Sequence, residues 1–167
     1  AGVYLLAGEP GMWKSTLALQ LINDLLKQSP YLKRAYYTGE ETAAQVISRR
    51  SRLYPTKSQE DKFFYTSSCE AIVETAKANK QAFVIIDSIQ TITSQSNDSS
   101  PGSASQVRAC SEVLTELAKA NNITIIIIGH VTKGGDIAWP KYLEHIVDVV
   151  LYLEGDRTGD MRFLRNY

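Results

Sequence analysis

Gly8-Glu9-Pro10-Gly11-Met12-Trp13-Lys14-Ser15-Thr16 stands between two runs of opposite character. Val3-Tyr4-Leu5-Leu6-Ala7 before it is apolar, and Leu17 to Leu26 after it is amphipathic. Strand, tight loop and helix form the setting in which a phosphate-binding loop works. The Walker A pattern is Gly, four residues, Gly, Lys, then Ser or Thr. Gly8, Lys14 and Ser15 are in register with it, and Trp13 stands where the second Gly belongs. Backbone N–H groups of such a loop and of the first helical turn point at phosphate oxygens. Lys14 is expected to reach the β- and γ-phosphates, and the Ser15 hydroxyl to ligate Mg²⁺. Gly11 supplies a residue that takes positive φ without strain. An indole at position 13 is large where backbone must approach phosphate. Two other readings therefore stand beside the first: an ordinary strand-turn-helix punctuated by Gly and Pro, and a true phosphate loop with impaired nucleotide binding.

The chain around this stretch has 167 residues, 44% hydrophobic and 22% charged, which suits one domain with a real core. Formal net charge is zero, so polyanion binding has to be local rather than driven by a global basic field. Cys69 and Cys110 lack metal-ligand spacing and read as two buried free thiols of a reducing, cytoplasmic compartment. The longest purely apolar runs, Val3 to Ala7, Ala82 to Ile86 and Val149 to Leu153, are far too short to span a bilayer. The first residues already read as a core strand rather than a signal peptide, and both ends are abrupt, so the expectation is a piece of a longer protein.

Outward from the loop, a helix is predicted over Lys14 to Gln28, stopped by Ser29-Pro30. Arg34 to Tyr37 reads as a strand leading into Thr38-Gly39-Glu40-Glu41-Thr42. Thr42 is expected to cap a helix that carries Arg49, Arg50 and Arg52 and ends at Pro55. Phe63 to Thr66 reads as a short strand, followed by a helix from Cys69 to Lys77. Phe83-Val84-Ile85-Ile86-Asp87 is an apolar run ending in an acid, the pattern of a strand buried on both faces. Ser94 to Ser105 is Ser, Asn, Asp, Gly and Pro, a mobile loop by composition. A helix from Gln106 to Ala120 precedes a second buried strand, Ile123 to Ile128, with His130 just past it. Gly134-Gly135 marks a second loop reaching Pro140. Val149 to Leu153 and Met161 to Leu164 read as a hairpin turned by Asp156 to Gly159. Alternating strands and helices imply a mainly parallel sheet with right-handed crossovers and ligands beyond the carboxyl ends of its strands. Gly8, Glu40, Asp87 and His130 all fall at such ends.

Each of these residue types suits one step of phosphoryl chemistry. Asp87 is expected to support the Mg²⁺ shell beside Ser15, against the plainer reading of a helix-capping Asp. Glu40, ahead of Glu41, is the candidate to polarise an attacking water, although either acid could simply favour a helix N-terminus. His130 is placed to read the γ-phosphate, or else is a neutral strand-end His. His145 reads as structural. Arg108, Lys133 and Lys141 flank or sit in the two loops and are the candidate DNA-phosphate contacts, against solvated loop charges. Trp139 could stack on a base or pack against the fold.

Several stretches together resemble the ATPase domain of the bacterial RadA/Sms recombination proteins, a branch of the RecA-like motors. They are Gly8-Glu9-Pro10-Gly11 with Lys14-Ser15-Thr16, Tyr37-Thr38-Gly39-Glu40-Glu41, and Ile86-Asp87-Ser88-Ile89-Gln90-Thr91. Pro101-Gly102-Ser103 with Gln106-Val107-Arg108, Gly129-His130-Val131-Thr132-Lys133, and Leu143-Glu144-His145-Ile146-Val147-Asp148 complete the set. The resemblance covers nearly the whole chain. It departs at Trp13 and Trp139, where the family pattern has Gly, and at Gly134, where it usually has Glu. The family's zinc module and Lon-protease-like domain fall outside these residues.

The resemblance implies an α/β, RecA-like P-loop NTPase fold over residues 1–167, with a mainly parallel sheet, helices on both faces and an antiparallel carboxyl-terminal hairpin. It implies ATP and Mg²⁺ held by Gly8 to Thr16 and Asp87, with Lys14, Glu40, Glu41 and His130 around the reacting phosphate. It implies a homo-hexameric ring threaded by single-stranded DNA, branch migration of recombination intermediates, and work alongside the RecA recombinase with no membrane. Residues 94–105 look like the first DNA-binding loop, residues 131–140 like the second, and His130 like the link between γ-phosphate and the latter. A ring scaffold or DNA-binding subunit without turnover is the alternative that Trp13 keeps open, and a small-molecule P-loop kinase is a weaker one.

Overall fold

A computed structural model describes residues 1–54, 61–131, 143–155 and 161–166. Its elements run β1 (Gly2–Gly8), α1 (Lys14–Gln28), β2 (Arg34–Thr38), α2 (Ala43–Leu53), β3 (Asp61–Tyr65), α3 (Cys69–Ala78) and β4 (Phe83–Asp87). A short 3-10 turn (Ile89–Thr91) follows, then α4 (Ala104–Asn121), β5 (Thr124–His130), β6 (Val149–Gly155) and β7 (Arg162–Asn166). The strands form one seven-stranded sheet in the order β3-β2-β4-β5-β1-β6-β7. All neighbours pair parallel except β6 and β7, which form the expected antiparallel hairpin.

The alternation of side chains along each strand sorts the core into two layers. Leu5, Ala35, Tyr37, Val84, Ile86, Ile125 and Ile127 pack against α3 and α4. Leu6, Tyr36, Ile85 and Ile128 pack against Ala18, Leu19 and Ile22 of α1 and Val46 of α2. Helices therefore cover both faces. The same parity decides where Asp87 goes: two residues beyond Ile85, its side chain faces the α1 layer, toward the phosphate loop.

Most predicted boundaries agree within a residue or two, and the differences have physical causes. The third strand begins at Asp61 and ends at Tyr65, because Asp61 is buried beside two arginines rather than lying in a loop. Arg34 Nε donates to it at 2.5 Å and Arg50 donates at 2.7 Å, with all three side chains nearly inaccessible. β5 continues to His130, because its ladder with β1 runs to the pair Gly8↔His130. β7 lies at Arg162–Asn166 rather than Met161–Leu164, since an exposed edge strand gives little apolar signal.

Residues 94–105 are more organised than their composition suggests. Gln106 Nε2 donates to the carbonyls of Asn97 and Ser99 at 2.5 and 3.1 Å, and its Oε1 accepts from the Ser94 N–H at 3.0 Å. Glu70 of α3 accepts from the Ser94 hydroxyl at 2.7 Å and the Gln95 N–H at 2.9 Å. Side-chain bonds thus satisfy a backbone that has little core to pack against. Cys69 and Cys110 are free and buried, and their mutual hydrogen bond together with burial pushes the Cys69 thiol up. Thr42 caps α2 in a full capping box with Gln45, and Ser68 and Ser103 cap α3 and α4. His145 is an exposed turn residue before β6. No described helix is long and apolar enough to cross a membrane.

Candidate functional site

Register collects the strand ends at which Gly8, Glu40, Asp87 and His130 stand. Thr38 pairs with Asp87 across β2 and β4, and Gly8 pairs with His130 across β1 and β5. Because these strands are parallel, their carboxyl ends share one edge of the sheet, and the chain leaves each of them there.

β1 gives way to the loop at Gly8, whose carbonyl accepts from the Lys14 ammonium at 2.8 Å and from the Val131 N–H at 3.1 Å. The Glu9 carbonyl accepts from the same ammonium at 2.8 Å. Gly11 has φ +81 and open space around it. Lys14 is 3% exposed. Burial lowers its pKa to about 8, against the opposing pull of Asp87 and Glu40. The phosphate loop thus points one weakly held proton at the place where anionic oxygens would sit. Gly8 itself has no room for a side chain, since a Cβ would lie 2.5 Å from the Leu153 carbonyl oxygen of β6. Gly8→Ala is expected to destabilise the fold by about 1–3 kcal/mol, the usual cost of overpacking against backbone, measured by urea unfolding.

Trp13 occupies the left-handed region, with φ 64 and ψ 27, where the Walker pattern has Gly. The loop keeps a glycine-like path, and the indole points outward, 68% exposed. It borders a cavity of about 460 Å³ shared with Gly11, Lys14, Ser15, Thr16, Glu41, Arg49, Leu53 and His130.

Asp87 and Ser15 come together through a residue that sequence reasoning missed. The Tyr36 hydroxyl donates to Asp87 Oδ2 and is also hydrogen-bonded to Ser15. Burial, then the Asp87 charge, push the Tyr36 pKa well up, so the phenol stays a donor. A buried tyrosine needs a polar partner, which was the available signal, but the partner lies 51 residues away. Ser15 and Asp87 offer oxygen donors only, and one phenol reaches both. An all-oxygen donor set of that kind fits Mg²⁺.

The two adjacent acids part company. Glu41 is bound by the Arg49 guanidinium, one turn above the end of α2. Its backbone N–H is fixed by Thr38 Oγ1 at 3.0 Å. Glu40 turns toward the sheet edge, where the Ser88 hydroxyl donates to it at 2.5 Å and His130 Nε2 lies 3.3 Å away. Gln90 Nε2 donates to the His130 carbonyl at 2.9 Å. Arg49, Ser88 and Gln90 were not singled out from sequence as site residues; each acts through a neighbour brought close only by folding. Arg108 is on the exposed side of α4, paired with Glu112 at 3.0 Å. Lys133, Gly134, Trp139 and Lys141 lie outside the described residues. Among those described, no cluster of three or more His, Cys, Asp and Glu could hold a metal ion.

Residues 1–136 match the family described as AAA domain. The chain is 44% identical over 165 residues to the DNA repair protein RadA of Rickettsia conorii, covering 98% of this chain and 36% of that protein. It is 42% identical over 165 residues to the DNA repair protein RadA of Mycobacterium tuberculosis, covering 98% of this chain and 34% of that protein. The chain therefore spans about a third of the length of the curated relatives it matches. A solved ATPase domain superposes with a TM-score of 0.77 at 15% identity, covering 95% of this chain and 71% of that one, a likeness of fold.

Proposed function

The chain belongs to the AAA domain family, with a RecA-like fold and RadA proteins among its relatives, and on that premise we propose that it is the ATP-hydrolysing core of a DNA repair motor. The observation that carries this reading is the gathering of Lys14, Ser15, Glu40, Asp87 and His130 from four strand ends at one edge of the sheet, where Lys14, Ser15 and His130 line an open cavity.

Lys14 leaves the Gly8 and Glu9 carbonyls for the β- and γ-phosphates, and loop N–H groups from Gly8 to Thr16 bind the remaining oxygens. Ser15 and Asp87 would hold Mg²⁺, which when bound would supply charge neutralisation at the transferring phosphoryl group, and Tyr36 fixes the Asp87 carboxylate. Glu40, oriented by Ser88, polarises the attacking water. His130 faces Glu40 and begins the segment that leads to Lys133, so phosphate and DNA occupancy are read at one residue. Arg108, Lys133 and Lys141 supply DNA-phosphate contacts. Branch migration on single-stranded DNA, a homo-hexameric ring and partnership with RecA recombinase belong to the same proposal. The exposed indole of Trp13 favours turnover over an inactive scaffold, because the loop keeps a glycine-like path despite it.

The test is ATP hydrolysis by the chain in its full-length protein, with and without single-stranded DNA. DNA-stimulated turnover, and DNA affinity that falls with rising salt, are expected. ATP hydrolysis indifferent to DNA, with no DNA binding, would overturn the motor reading.

A pH effect follows from Lys14. Its pKa is lowered in the folded chain from 10.5 to about 8, so between those values the unfolded chain binds more protons and stability rises with pH. Phosphate favours the charged ammonium and reverses the shift. Mg·ATP affinity should fall above pH 8, by up to about tenfold per unit, with uptake of close to one proton at about pH 9. Calorimetry in two buffers of different ionisation enthalpy measures that uptake.

A further inference from the structure

Trp13 combines two features that its own fold does not compensate. A bulky side chain is held at φ 64, a region that disfavours any residue with a Cβ. The ring is also 68% exposed, so burial does not offset that conformation. As the residue preceding α1 it makes no side-chain cap bond. Among the described residues the indole takes part in no ring stacking. Strain that the rest of the fold does not reward is a mark of a ligand contact.

The cavity says which ligand. Its lining joins Gly11, Trp13, Lys14, Ser15 and Thr16 of the phosphate loop to Arg49 and the partly exposed Leu53 of α2. A nucleotide whose phosphates sit on the loop has its base left to place, and the indole, an aliphatic chain and a guanidinium are among the lining left to it. Its volume of about 460 Å³ is in the range that takes a molecule of that size. We propose that Trp13 is the stacking platform for the base of a bound purine nucleotide, with Leu53 and Arg49 as the facing wall. This rests on the phosphate-site reading above and adds the base subsite to it. A two-ring base covers an indole better than a one-ring base, and a guanidinium adds attraction to a base or indole face.

The experiment compares Mg·ADP with magnesium tripolyphosphate, which has phosphates and no base. Both are titrated into the full chain and its Trp13→Ala and Trp13→Phe variants, by calorimetry. A Trp139→Phe background lets Trp13 fluorescence be read alone. Stacking predicts that Trp13→Ala weakens Mg·ADP about tenfold, ~1.4 kcal/mol, that Trp13→Phe keeps most of the affinity, and that tripolyphosphate binds all three alike. Mg·ADP should quench Trp13 and tripolyphosphate should not. Unchanged or tighter Mg·ADP binding by Trp13→Ala overturns the proposal, as does quenching by oligo-dT with none by Mg·ADP. Failure of every version to bind either phosphate compound, with folding intact, would sink the phosphate-site reading itself. If Trp13→Ala does not fold, the phenylalanine variant and the wild-type quenching still decide.

Discussion

Glu40→Gln is expected to lower ATP hydrolysis by about 10²–10⁴-fold, the range supplied by a positioned general base, while Mg·ATP affinity changes little. The amide keeps the shape of the side chain and can still accept from the Ser88 hydroxyl, which lies 2.5 Å from the carboxylate. It cannot polarise or accept a proton from water. Glu41, one residue on, does not stand in, because Arg49 already binds its carboxylate and Thr38 fixes its backbone. Glu41→Gln should therefore cost much less turnover and show up in the placement of Arg49 instead. Single-turnover hydrolysis beside equilibrium nucleotide binding separates the two effects. Equal losses from both variants, or near-normal hydrolysis by Glu40→Gln, would remove Glu40 from the proposed role.

Asp61→Ala is expected to destabilise the fold by about 3–5 kcal/mol, the cost of breaking a buried ion pair by removing one partner. Asp61 is the shared acceptor of Arg34 at 2.5 Å and Arg50 at 2.7 Å, with side-chain exposures of 2%, 0% and 6%. Removing it takes away the buried carboxylate that both guanidiniums share. The site is structural, since Arg34 and Asp61 are neighbours in the β2–β3 ladder and Arg50 comes from α2. Asp61→Asn should lose less, as it keeps one acceptor oxygen. Urea unfolding with an unchanged slope would show the loss as a lower midpoint. A loss below ~1 kcal/mol for the alanine variant would mean that water reaches the cluster.

The features legible in the sequence are those set by near neighbours. The apolar run ending at Gly8, the punctuation of the loop and the capping Thr42 are all local, and each element formed where expected. Asp87 closes the strand Phe83–Asp87, as the apolar run ending in an acid leads one to expect. Features set by register were not legible. Tyr36 meets Asp87 because β2 and β4 pair in parallel with Thr38 opposite Asp87, and a chain reading has no access to that pairing. The same is true of Gln90 reaching the His130 carbonyl and of Asp61 reaching Arg34 and Arg50. Residues 94–105 read as mobile because composition counts apolar mass. It does not count the hydrogen bonds by which Gln106 and Glu70 hold a polar loop. Trp13 read as an obstruction because its size was visible and its direction was not.

The most direct test of the central claim is calorimetric titration of Mg·ATP into the chain as it stands, with tryptophan at position 13. Stoichiometric binding in the micromolar range, about −8 kcal/mol, is the predicted result. A folded chain that takes up no Mg·ATP at millimolar concentration would contradict it.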